Sequence, residues 1–109
     1  MQQKEFDKSK IFRFHESIDY TEGGIVSKNV LKRETGNISL FSFDKEEQLS
    51  THAAPFDALV QVVEGEGKII LDGIEYDLIE GDAIIMPANV PHSVYATEPF
   101  KMVLTMIKE

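Results

Sequence analysis

Apolar and polar positions alternate in short runs along most of the chain. In NISLFSF (37–43), Phe41 and Phe43 fall on one side, and Ile38 and Leu40 on the other. DALVQVV (57–63) follows, then KIIL (68–71), the dipeptide Asp72–Gly73, and IEYDLI (74–79). Asp-Gly between two β-rich runs predicts a tight hairpin, because a type I′ turn needs positive φ at both central residues. Ile74, Tyr76 and Leu78 alternate with Glu75 and Asp77, the pattern of a half-buried strand. Glu80 to Asp82 turns again into AIIM (83–86). The loop PANVP (87–91) precedes a short strand HSVYA (92–96), and the last run is FKMVLTMI (100–107). Gly65, Gly67, Gly73 and Gly81 all read as turn residues. Strands at this spacing predict an all-β, antiparallel sandwich or barrel. Helical periodicity is lacking; the first twenty residues read equally as a short helical turn or as coil.

Two of the runs bear on assembly. In 100–107, Phe100, Met102, Leu104 and Met106 oppose Lys101, Val103, Thr105 and Ile107, and 57–63 is largely apolar on both faces as well. Strands of this kind are buried on both faces. A lone barrel has a wet outside, so the pattern predicts a homodimer packed sheet on sheet. The alternative cover is the N-terminal segment of the same chain. On this reading residues 1–24 form an N-terminal segment that contributes to the dimer, and 25–109 a single barrel domain.

The whole-chain properties narrow the function. The sequence has 109 residues, enough for one core. Its net charge is −8 with scattered basic residues, which argues against nucleic acid or an anionic membrane as partner. The chain has no cysteine, so disulfides and thiolate zinc sites are excluded. No apolar run approaches the roughly 18 residues of a membrane span, and the charged start does not resemble a signal peptide. A cytoplasmic location is expected.

Two stretches carry the candidate chemistry: STHAAPFDALVQVVEGEG (50–67), read as a strand and its turn, and GDAIIMPANVPHSVYA (81–96). Together they resemble the paired motifs of the cupins, small barrels of jelly-roll type, and in particular the small single-domain bacterial members. The resemblance covers about residues 38–107. In the first motif His52 and Gly65 match; in the second, Gly81, Pro87 and His92 match, while Asn89 and Ala96 depart from the pattern. Metal-binding cupins gather three histidines and a glutamate inside the barrel. Here His52 and His92 hold two of those positions, and Ala54 and Ala58 stand at the other two. A methyl group cannot ligate. Strand alternation turns Asp57 and Gln61 away from Ala58, unless a bulge intervenes, and His15 has no motif context.

The resemblance therefore implies a jelly-roll fold, with His52 and His92 inside one end of it. The alanines leave room beside them for a small-molecule pocket lined by His52, Ala54, Ala58, Met86, His92 and Met102. Two functions suit such a site. One is a cupin that binds an unidentified small molecule. The other is a metal-dependent enzyme of dioxygenase or isomerase type, using His52 and His92 as ligands to a divalent transition metal (Ni, Zn, Fe or Mn). A third reading is a ligand sensor for another protein. Ser50 and His52 lie too close along one extended segment to suggest a catalytic triad.

Overall fold

In the computed structural model, which describes residues 4–109, eight strands form a curled antiparallel half-barrel. They are β1 (Ile25–Arg33), β2 (Gly36–Phe43), β3 (Gln48–His52), β4 (Asp57–Leu71), β5 (Ile74–Ile79), β6 (Ala83–Met86), β7 (His92–Tyr95) and β8 (Phe100–Ile107). A single 3-10 turn, Phe14–Glu16, precedes them.

One strand organises the rest. The first part of β4 lies between β8 and β6, and its second part lies between β7 and β5. The expected turn at 64–67 is absent, because β4 runs unbroken through it. Gly65 and Gly67 bend the strand rather than end it. Gly65 has φ +75°, and the register against β8 shifts just before it. A Cβ on Gly65 would lie 2.2 Å from the Pro99 carbonyl oxygen, and one on Gly67 would lie 2.7 Å from the Phe100 ring. These glycines let Phe100 lie against the strand backbone.

The Asp72–Gly73 hairpin forms as expected, with φ of 49° and 82°. The face of β5 is only partly covered: Leu78 is buried, whereas Ile74 and Tyr76 are exposed. This corrects the expectation of a half-buried strand; among the described residues β5 pairs with β4 alone, and its Ile74 and Tyr76 stay exposed. Strand β1 was not evident in the alternation, and the register shift between Asn29 and Leu31 explains why.

The inner face of the fold holds the larger core. Val60, Val62, Met86 and Met102 from one side meet Ile69, Leu71, Leu78, Val94 and Ala96 from the other. Phe43 and Phe100 stack at 4.7 Å and close one end. The outer face carries a second cluster: Val30, Leu40 and Val103 are covered by Ile18, with Phe6 and Phe14 beside it. Thus Phe41 and Phe43 do fall on one side of β2 and Ile38 and Leu40 on the other.

That cover comes from the N-terminal segment, whose residues 1–3 lie outside the described residues. It is held by polar contacts as well. The Lys101 ammonium donates to the His15 carbonyl at 2.6 Å and lies 3.3 Å from Glu64. Tyr20 donates its hydroxyl to Glu64 at 2.6 Å, and Ser42 donates to the Asp19 carbonyl at 2.9 Å. Burial pushes the Glu64 carboxyl up, but the hydrogen bonds from Tyr20 and Lys101 prevail and hold it below the usual carboxylate value. Tyr20 is raised, first by burial and then by its bond to Glu64.

Candidate functional site

The chain brings its two motif histidines together. His52 ends β3 and His92 opens β7, and the two are cross-strand partners. Their rings meet edge to face at 4.2 Å between centroids, and their Nε2 atoms lie 3.1 Å apart. His92 is buried, with 8% exposure, and His52 is exposed. The loop before His92 is fixed from several sides. Asn89 donates its N–H to the Ala54 carbonyl at 2.7 Å, and the Asp72 N–H reaches the Pro91 carbonyl at 2.8 Å. Asp57 accepts from the Ala88 N–H at 2.8 Å, so its carboxylate serves this loop.

A count of hydrogens defines what the pair can do. His52 Nδ1 lies 3.0 Å from the Ser50 carbonyl oxygen, and His92 Nδ1 lies 3.2 Å from the Val90 carbonyl oxygen. Each of these contacts needs an N–H, and so does the contact between the Nε2 atoms. Two neutral imidazoles carry one N–H apiece. With both Nδ1 atoms donating, two Nε2 lone pairs face each other, and the missing hydrogen must be replaced by an added proton, a cation or a donor group from a ligand. Burial holds His92 below the usual imidazole value, the Val90 carbonyl opposes this, and the neighbouring His52 adds to the lowering. Protonation of His92 itself is therefore disfavoured.

The pair also suits a divalent metal in its bite. Two nitrogens at about 2.0–2.1 Å from one ion and 3.1 Å from each other subtend an angle of about 100°. The donor count stops at two, however. Among the described residues no group of three or more His, Cys, Asp or Glu side chains can hold an ion.

The remaining sequence-derived residues take different places. Ala58 is buried on the inner face, with Met86 as its β6 partner and Met106 as its β8 partner. Ala54 is half-buried in the segment between β3 and β4. Met102 lies deeper, as partner of Val62 and Phe41, and is almost fully buried. Met106, half-buried beside Ala58, is nearer the open end. Gln61 is exposed. His15 belongs to the outer side, where its carbonyl holds Lys101.

Sequence reading missed the polar part of the inner face. Asn37 and Ser39 share it with Phe41 and Phe43, because all four alternate along β2. Asn37 donates to the Ser39 hydroxyl at 3.3 Å. The signal was present in NISLFSF, where the side opposite Ile38 and Leu40 begins with polar residues.

Comparison with known proteins places this geometry among relatives. A profile described as a cupin domain matches residues 39–108. A conserved protein of unknown function from Streptococcus pyogenes is 30% identical with TM-score 0.92, over 100% of this chain and 96% of its own. A cupin superfamily protein from Desulfitobacterium hafniense is 25% identical with TM-score 0.90, over 100% of both chains. A cupin 2 conserved barrel domain protein from Leptotrichia buccalis is 44% identical with TM-score 0.84; the match covers 86% of this chain and 46% of that one. No curated protein matches the chain.

Proposed function

Because the chain belongs to the cupin family, we propose that it is a small-molecule-binding cupin whose site is the open end of the barrel around His52 and His92. The observation that carries this reading is the pair of facing Nε2 atoms, 3.1 Å apart, with each Nδ1 within hydrogen-bond distance of a carbonyl oxygen. Such a pair presents acceptors to a hydroxyl or amine of a ligand. Ala58, a small buried residue, lies in register between Met86 and Met106, methionines that adapt to irregular apolar bodies.

The same acceptors favour a second reading, a metal-dependent cupin enzyme. His52 and His92 would hold a divalent transition metal (Ni, Zn, Fe or Mn) through Nε2, and the two Nδ1–carbonyl bonds would fix the rings for it. When bound, such a metal supplies Lewis acidity. Water or oxygens of the substrate would complete the set, since the protein offers two ligands where catalytic sites usually keep three.

Elemental analysis of untagged protein, followed by calorimetric titration with Zn²⁺ and Ni²⁺, separates the two. Weak binding, with no metal retained after purification, supports the ligand-binding reading; stoichiometric metal supports the enzyme. In either case His52→Ala and His92→Ala should each weaken the metal titration by about 1.5–3 kcal/mol, and His15→Ala should leave it unchanged. Equal effects of all three variants would remove the site.

We also propose a homodimer. The N-terminal segment covers only part of the outer face. Along the same face runs a cross-strand row, Ile85–Leu59–Thr105–Ile38–Leu31, of which Ile38 packs against the covered cluster. Ile85 and Leu31 at its ends are exposed. Packed against the same strip of a second copy about a two-fold axis, its exposed aliphatic ends would be buried. A cytoplasmic location fits this reading; among the described residues no helix is long and apolar enough to cross a membrane.

A further inference from the structure

Two connections cross the open end, and each adjoins one of the histidines. Residues 53–56 lead from His52, at the end of β3, to Asp57, at the start of β4. Residues 87–91 lead from β6, which pairs with the first part of β4, to His92 at the start of β7, which pairs with β3 and with the second part of β4. Pro87 and Pro91 have no N–H, so this second connection holds three backbone donors. All three are used. Val90 donates to the Pro87 carbonyl at 3.4 Å and closes a turn, in which Asn89 takes a φ of 64°, a left-handed value that asparagine tolerates. Asn89 donates to the Ala54 carbonyl at 2.7 Å, and Ala88 donates to Oδ1 of Asp57 at 2.8 Å. Two of the three donors therefore stitch the second connection to the first.

Of the acceptors that receive these bonds, Asp57 alone uses a side chain. Its backbone is held in register with Ile107 of β8, and its carboxylate makes a charge-assisted bond to the turn. The turn places the Val90 carbonyl, which lies 3.2 Å from His92 Nδ1 and steers that ring. We propose that Asp57 is the positioning residue of the histidine pair. By clasping one connection to the other, it holds the two Nε2 atoms close enough for a single ligand atom to meet both. The inference rests on the open end being the ligand site and adds the residue that assembles it.

The contact between the two imidazoles is the readout, measured as the nuclear Overhauser effect between their carbon-bound ring protons in the ¹³C,¹⁵N-labelled full chain at neutral pH. The parent protein should show it, since the ring centroids are 4.2 Å apart. Asp57→Ala should lose it and shift the amides of Ala88, Asn89 and His92, while the Phe43–Phe100 ring contact at the other end persists. Asp57→Asn keeps an acceptor oxygen and should keep the imidazole contact. Asp57 is exposed, so neither variant opens a cavity in the core. A contact that survives Asp57→Ala, even with lower unfolding stability, reduces Asp57 to a support of the loop and overturns the proposal while leaving the histidine site intact. Loss of the contact in Asp57→Asn as well, or loss of the Phe43–Phe100 contact alongside it in Asp57→Ala, overturns it too. A parent protein without the imidazole contact removes the pair as the site, and the positioning role with it.

Discussion

The two ends of the barrel are built from the same strands and differ in what fills them. At the closed end Phe43 and Phe100 are fully buried and stacked, and two glycines in β4 make way for Phe100. At the open end β4, β8 and β2, joined by β6, carry Ala58, Met106, Asn37 and Met86, with the histidine pair opposite. Large rigid rings give way to small, flexible or polar groups within a few residues along each strand. Both ends contribute to the core, since Ala58 and Met86 are buried in it, but only the open end adds the polar groups Asn37, His52 and His92 that can carry chemistry.

Substitutions separate the ends. The largest expected loss is at the closed end: Phe100→Ala should cost about 3–5 kcal/mol in urea unfolding, since it leaves a cavity against Phe43. Gly67→Ala should follow at about 1–3 kcal/mol, because its methyl would press on the Phe100 ring. At the open end, Ala58→Glu with Ala54→His should lower stability in the absence of metal, because Ala58 is buried and a carboxylate there is unpaired. The double variant should raise Zn²⁺ or Ni²⁺ affinity at least about tenfold by adding ligands beside His52 and His92. A double variant with parent-like affinity shows that these two positions do not face the pair.

Acid should also act differently on different parts of the molecule. His92 resists protonation in the folded state, whereas unfolded chain takes up a proton below its ordinary value of 6.5. Stability should therefore begin to fall as pH drops below about 6.5, and His92→Gln should remove that slope. Glu64 behaves as a carboxylate with a lowered value. Its contribution is present above its ordinary 4.5 and disappears as pH falls through the lowered folded value. The N-terminal segment should loosen there, visible as a rise in amide exchange over residues 14–20. Loss of both signals at one common pH would mean that the two regions are not independent.

The smallest effect concerns assembly. Ile85→Lys should convert a dimer to a monomer in light scattering while changing the unfolding free energy of the protomer by less than about 0.5 kcal/mol, as for an exposed position. A parent protein that is monomeric at all concentrations removes the proposed interface.

Much of this was legible in the sequence. Alternation identified β2 and β8 and their faces, and the Asp-Gly turn announced its hairpin. The motif spacing implied that His52 and His92 meet across 40 residues, as they do. The misses share a cause: they depend on partners remote in sequence. Gly65 and Gly67 looked like turn residues because the aromatic ring that requires them is Phe100, on another strand. Strand β1 was hidden by a bulge that interrupts its alternation. The N-terminal segment shows no periodicity, because it is fixed by single contacts such as His15 carbonyl to Lys101.

Strand β4 has a consequence for how the molecule opens. Its fifteen residues are hydrogen-bonded along both edges, to β6 and β8 in one half and to β5 and β7 in the other. Neither layer can come apart without baring an edge of the strand that the other still uses. Partial unfolding of one layer alone is thereby penalised, and the barrel should melt as one cooperative unit. The amides of Val60, Val62, Ile69 and Leu71 should set the upper limit of hydrogen-exchange protection, reached only through global unfolding, while the edge strands β1 and β3 exchange by local fraying.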